Sequence, residues 1–156
     1  MGAVPASLST VHASCVVLGE DGILIRGPAG SGKSTLVRDL MQIGAISGVF
    51  VALVGDDRVS LTPRNGRLVA APHPALAGLL EIRGLGLQAV DATVPSAVLR
   101  LIVDLAEAAP RMPEDGEETI RLREVVLPRM ILSPDPGRAG TVLWRWRRLH
   151  VMVIAD

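Results

Sequence analysis

GPAGSGKS, residues 27–34, decides how this chain is read. A glycine, four free positions and then Gly32-Lys33-Ser34 is the spacing of a phosphate-binding loop. Glycines in such a loop let successive backbone N–H groups turn inward as a nest for anionic oxygens. Lys33 brings a point charge to β- and γ-phosphates, and the Ser34 hydroxyl is a hard ligand for magnesium. The nucleotide-binding candidates are therefore Gly27, Pro28, Ala29, Gly30, Ser31, Gly32, Lys33, Ser34 and Thr35. The flanks agree with the motif. Residues 22–26, GILIR, form a short apolar strand, and Leu36, Val37, Leu40 and Met41 recur at helical spacing just after it. A helix starting near Lys33 aims its positive end at the phosphates, and Gly44 is its expected stop.

Residues 49–54, VFVALV, are a continuous apolar run of the kind that fills a sheet buried on both faces, and they end in Gly55-Asp56-Asp57. Downstream of a phosphate loop, one of these carboxylates can hold magnesium, directly or through water, and one can act as a base. Upstream, residues 12–18 and 23–25 read as a hairpin through the turn Gly19-Glu20-Asp21-Gly22, with His12 at the start of its first strand.

The rest of the chain gives a coarser reading. Residues 58–61 and 67–70 form a second hairpin around Asn65-Gly66, and Pro72-His73-Pro74 breaks the chain. Residues 75–80 make a short apolar turn or helix. Glu81 and Arg83, two apart on an extended segment, share a side. Residues 98–105 form a strand, and residues 106–124 a charged, proline-broken loop. Residues 125–128 and 130–132 read as short extended pieces and residues 133–138 as a rigid turn. Leu143, Trp146, Leu149 and Val153 fit a final helix, with a strand as the alternative.

The composition excludes several classes. The 156 residues suffice for one domain with a core, and 49% hydrophobic against 21% charged residues is globular. Sixteen basic and sixteen acidic residues cancel, so no net charge draws the chain to nucleic acid or a membrane surface. Aromatics at 2% offer no stacking platform for bases. Cys15 is the only cysteine, which rules out an intrachain disulfide. No apolar run reaches the roughly 18 residues of a bilayer span, and residues 1–5 lack a leader pattern, so a cytoplasmic protein is expected.

Taken in order, His12 before a hairpin, GPAGSGKS, Gly55-Asp56-Asp57-Arg58-Val59, Leu80-Glu81-Ile82-Arg83-Gly84-Leu85-Gly86 and Pro136-Gly137-Arg138 resemble the catalytic domain of HPr kinase/phosphorylase, over residues 7–138. The resemblance implies a single α/β P-loop domain over residues 1–156, a central β-sheet with the phosphate loop leading into a helix. It implies ATP and Mg2+ as cofactors and the phosphocarrier HPr as the protein phosphorylated on serine. By the same resemblance, Ser34 and Glu81 are magnesium ligands, with Asp56 beside them. Lys33 is the catalytic lysine, Asp57 the base, and His12 and Arg111 further active-site residues. A hexamer formed through this domain is the family's assembly, and carrying it over gives a homo-oligomer. Compared with longer members, the chain starts almost at the catalytic domain and ends soon after Arg138, like the short kinases of proteobacteria that lack a full sugar-uptake system. Asp135 stands where the family's dephosphorylating turn is usually basic, which implies retained kinase and weakened phosphorylase activity. Two other readings compete: a small-molecule kinase of the same superfamily, and a nucleotide-binding regulatory module without turnover.

Overall fold

The computed structural model describes the backbone of residues 9–154 and the side chains of residues 9–150. In chain order it contains β1 (Thr10–Val11), β2 (Ala13–Leu18), β3 (Asp21–Arg26), α1 (Lys33–Ser47), β4 (Val51–Gly55), β5 (Val59–Arg64) and β6 (Arg67–Pro72). A 3₁₀ turn at Pro74–Leu76 follows, then β7 (Leu79–Ile82), β8 (Gly86–Ala89), β9 (Ala97–Leu105), β10 (Thr119–Leu122), β11 (Val125–Leu132) and α2 (Arg138–Ile154). Nine strands make one sheet in the order β1-β5-β6-β9-β3-β2-β4, with β11 also on β9 and β10 on β11. The pair β7-β8 stands apart as a hairpin.

Strand direction positions the site. β3 and β9 are parallel, as are β9 and β11, while β2 is antiparallel to both β3 and β4. β3, β4, β9 and β11 therefore run the same way and present their carboxyl ends along one edge, where open α/β sheets bind ligands. β2, β3, β4 and most of β9 are buried on both faces. On one face Val16, Ile23, Ile25, Leu53 and Val103 pack with Leu36 and Leu40 of α1 and Val142 of α2. On the other, Cys15, Leu24, Ala52, Val54 and Ile102 pack with Leu61, Leu68 and Leu127. Alternate residues of one strand thus serve two cores, which is why residues 51–54 are apolar without a break, whereas Phe50, just before the strand, is exposed.

The expected hairpins at residues 12–25 and 58–70 form. Asn65 and Gly66, at φ 52 and 77, supply the left-handed turn of the second. The expected stop of α1 at Gly44 is corrected. The helix continues to Ser47, and Gly48, at φ 76, terminates it with its N–H donated to the Gly44 carbonyl at 3.0 Å. Gly44 is buried instead against Val51, where a Cβ would collide, so it is a packing glycine.

The loop expected over residues 106–124 also differs, because its last part is β10. Arg123 and Glu124 turn this strand into β11 with both residues at positive φ, 45 and 69. The two short pieces expected over residues 125–132 are one strand. Residues 125–128 pair with β10 and residues 129–132 with β9, and Pro128 sits at the changeover. The C-terminal segment is a helix, as the spacing predicts, although the side chain of Val153 lies outside the described residues.

Candidate active site

α1 begins on a bare end. Gly32, its N-cap, is at φ 96, no side chain caps the first turn, and that turn carries no acidic residue. Its free N–H groups and the positive end of the helix dipole make an anion receptor. Arg138 Nη2 packs against Gly32 where a Cβ would stand, and the φ of 96 strains any residue but glycine there. Lys33 folds back over the loop, and its Nζ donates to the carbonyls of Gly27 at 2.8 Å and Pro28 at 3.2 Å. Burial pushes the Lys33 ammonium below its usual pKa, against the opposing pull of Asp57 and Asp56.

The two aspartates after β4 have separate environments. Asp56 is buried and saturated with donors. Its carboxylate accepts Ser14 Oγ at 2.5 Å, Ser34 Oγ at 2.9 Å from each oxygen, and the Glu81 N–H at 3.1 Å. Asp57 is half exposed and held at φ 67, a left-handed backbone that a non-glycine residue occupies at some cost. The turn that imposes it is closed by Arg58 N–H on the Asp56 carbonyl at 2.8 Å. Turned this way, Asp57 Oδ1 meets His12 Nε2 at 2.7 Å. His12 comes from the break between β1 and β2, so both strand ends are needed to bring the pair together.

A pocket of about 320 Å³ collects these groups: His12, Lys33, Ser34, Asp56, Asp57 and Glu81 all line it. Ala29, Gly30, Gly32 and Thr35 of the loop line it too, together with Arg83. Glu81 and Arg83 arrive on the β7-β8 hairpin, which Leu80 anchors in the core. The expectation that they share a side holds to the extent that both line this pocket. The donor set fits magnesium, a hydroxyl and carboxylates, all hard oxygens. No group of three or more His, Cys, Asp or Glu placed to hold a metal occurs among the described residues, so a cation here needs further ligands from phosphate or water.

Of the sequence-predicted site residues, Gly27, Pro28 and Ser31 of the loop do not line this pocket, and neither does Arg111. Arg111 lines a groove on the opposite flank of the phosphate loop, between the segment before β10 and α2. Ser14 and Arg83 are groups that sequence reasoning left out of the site. Nothing marks Ser14 in the sequence, since its contact to Asp56 spans 42 positions. The residues beneath the loop were missed as well. Asp104, at the end of β9, accepts Arg26 Nε at 2.7 Å, Arg26 Nη2 at 2.8 Å and Arg129 Nε at 2.6 Å. Burial alone would raise its pKa, but the two guanidiniums outweigh that and hold it below the usual carboxylate value. This cluster clamps β3, β9 and β11 together immediately before Gly27.

The chain has clear relatives. The family model described as "HPr Serine kinase C-terminal domain" matches residues 5–143. A protein named HPr kinase/phosphorylase from Lacticaseibacillus casei is 32% identical over 144 residues, 85% of this chain and 43% of that protein. One of the same name from Geobacillus thermodenitrificans is 31% identical over 149 residues, 88% of this chain and 46% of that protein. The chain thus spans less than half the length of these curated relatives. Among solved structures, "Structure of the Hpr(Ser) kinase/phosphatase from Coxiella burnetii" aligns with a TM-score of 0.74 at 27% identity, covering 92% of this chain and 99% of that one. Sequence and architecture agree over the same residues, and the chain belongs to the HPr serine kinase C-terminal domain family.

Proposed function

We propose that the chain is a serine protein kinase that transfers the γ-phosphoryl group of ATP to the phosphocarrier HPr. The observation that carries this reading is the placement of an oriented carboxylate, Asp57, beside an uncapped helix end and a single buried lysine. Phosphoryl transfer needs charge neutralisation, alignment and a proton acceptor. Gly27 to Thr35 hold the phosphates through backbone N–H groups, and Lys33 exchanges its carbonyl contacts for β- and γ-oxygens. Magnesium, held at Ser34 with Asp56 and Glu81 in reach, would supply charge neutralisation between the phosphates. His12 fixes one oxygen of Asp57, which leaves the other to accept the proton of the serine hydroxyl. The cytoplasm, where ATP and phosphocarriers meet, is the expected setting. No helix among the described residues is long and apolar enough to cross a membrane.

The reverse reaction, phosphorolysis of serine-phosphorylated HPr, is proposed to be weak. Asp135 puts a carboxylate in the turn before α2, with Oδ1 accepting the Gly137 N–H at 2.5 Å, and so subtracts from the attraction that the neighbouring arginines would exert on a phosphorylated partner. Homo-oligomerisation belongs to the same proposal and is read by sedimentation.

The decisive experiment is transfer of label from γ-labelled ATP, with magnesium, to purified HPr. Label is expected on an HPr serine. Asp57→Asn should lower the rate about 10²–10⁴-fold, the usual worth of a positioned base, while ATP binding persists. ATP binding without label on any HPr serine would overturn the kinase reading.

A further inference from the structure

The charge of this chain balances overall, yet its arginines do not spread evenly. Arg111, Arg129, Arg138, Arg145 and Arg148 all line one groove of about 930 Å³, against three carboxylates. Arg138, Thr141, Arg145 and Arg148 are spaced three, four and three apart, which puts them on one stripe of α2. Met130 and Leu132 of β11 give the groove an apolar side.

Its position is set by the sheet. The groove stands at the carboxyl ends of β9 and β11, one flank of the phosphate loop, whereas Asp56 and Asp57 follow the carboxyl end of β4 on the other flank. Arg138 joins the two: its Nη2 donates to the Ser31 carbonyl at 3.1 Å, and its Nη1 is buried with no hydrogen-bond partner among the described residues. A buried guanidinium N–H without an acceptor is costly unless a ligand supplies one.

A nucleoside triphosphate bound with its γ-end at Asp57 and its β-phosphate over the loop must extend away from β4. The carboxyl ends of β9 and β11 are what lies in that direction. We propose that the arginine-lined groove is the nucleoside subsite. Arg138 Nη1 turns to the α-phosphate, and Arg145 and Arg148 flank the sugar and base, which rests on the Met130 and Leu132 side. Guanidinium planes take the stacking role that the aromatic-poor composition leaves open. The inference rests on the proposed use of ATP and adds the orientation of the nucleotide and the residues that hold its non-reacting half. It also gives Arg111 a place on the groove wall rather than beside the reacting groups.

The test compares two magnesium-bound probes, ATP and inorganic tripolyphosphate, by calorimetry on the full chain and on the Arg145→Ala, Arg148→Ala double variant. ATP affinity should fall about tenfold, or 1.4 kcal/mol, while tripolyphosphate affinity stays the same. Equal losses for both probes would make the groove a general anion site and overturn the proposal. Unchanged ATP affinity, with weaker binding of an acidic acceptor protein, would make it a docking surface and overturn it as well. Photolabelling the wild type with 8-azido-ATP gives a readout independent of variant folding. Label within residues 109–118 or 129–148 supports the subsite, and label confined elsewhere removes it. Wild-type protein that binds neither probe would overturn the kinase reading itself, an outcome distinct from those that remove only the subsite.

Discussion

Lys33 shows what a single side chain reveals and what it hides. Its place in GPAGSGKS makes it the candidate phosphate lysine, and it is also the only lysine among 156 residues. The sequence does not show that burial lowers its pKa despite two neighbouring aspartates. A lowered pKa leaves more free amine at a given pH, so Lys33 should acylate with a pH midpoint below the ordinary 10.5 of a lysine. Peptide mapping after amine-selective labelling should find Lys33 as the one modified side-chain amine, and Mg-ATP should suppress it. A midpoint at or above the ordinary value would contradict the burial seen here. The same limit on legibility applies around Asp56 and Asp57. Their position after an apolar strand was readable. Their division into one buried, fully hydrogen-bonded carboxylate and one half-exposed, left-handed one was not, because Ser14 on β2 and His12 just before it reach them from far upstream, Ser14 across 42 positions.

Elements were legible where local chemistry set their ends and obscure where distant partners did. Asn65-Gly66 declares its hairpin, whereas Arg123-Glu124 makes an equivalent turn with residues that have no preference for positive φ. β10 was invisible for that reason, and its pairing with β11 decides the case. α2 was readable from spacing, but not its anchorage. Asp21, buried at the start of β3, accepts Trp146 Nε1 at 2.8 Å and His150 Nε2 at 2.5 Å.

Between strands, Asp104 is the joint that matters most, since Arg26 and Arg129 converge on it from β3 and β11, the two strands parallel to β9. Asp104→Asn should destabilise the protein by about 2–4 kcal/mol, because it leaves two part-buried guanidiniums without their counter-charge. That corresponds to a fall in Tm of roughly 5–15 °C. The pH dependence follows from the depressed pKa. The folded carboxyl titrates below its unfolded value of 3.8, so its stabilisation is present above about pH 4 and is lost as pH falls through the folded value. The Tm gap between wild type and Asp104→Asn should therefore narrow as pH drops from 5 towards 2, and a gap that stays constant would show that charge is not what Asp104 contributes.

Over the whole molecule, one sheet separates two apolar clusters, and its shared carboxyl edge carries the site. The sequence conveyed the first half of this through its unbroken apolar runs. The second half, with Asp56 on one flank of the phosphate loop and the arginine groove on the other, depends on a strand order in which β9 lies next to β3 although 70 residues separate them. Such an arrangement stabilises the centre of the sheet only when both faces are covered, so the centre should open only when the whole domain does. Cys15 reports on this directly. It lies on β2 between β3 and β4, fully buried, and burial pushes its thiol far above the ordinary range, so no thiolate is available near neutral pH. Under native conditions a disulfide reagent should modify Cys15 at the rate or equilibrium of global unfolding, and the modification should track loss of the circular-dichroism signal across a denaturant series. Modification that is fast in buffer and insensitive to low denaturant would instead mean that β2 detaches locally. His12 leads directly into β2 and Asp57 follows β4, which pairs with it, so a detaching β2 would separate the two groups whose 2.7 Å contact the proposed proton transfer relies on.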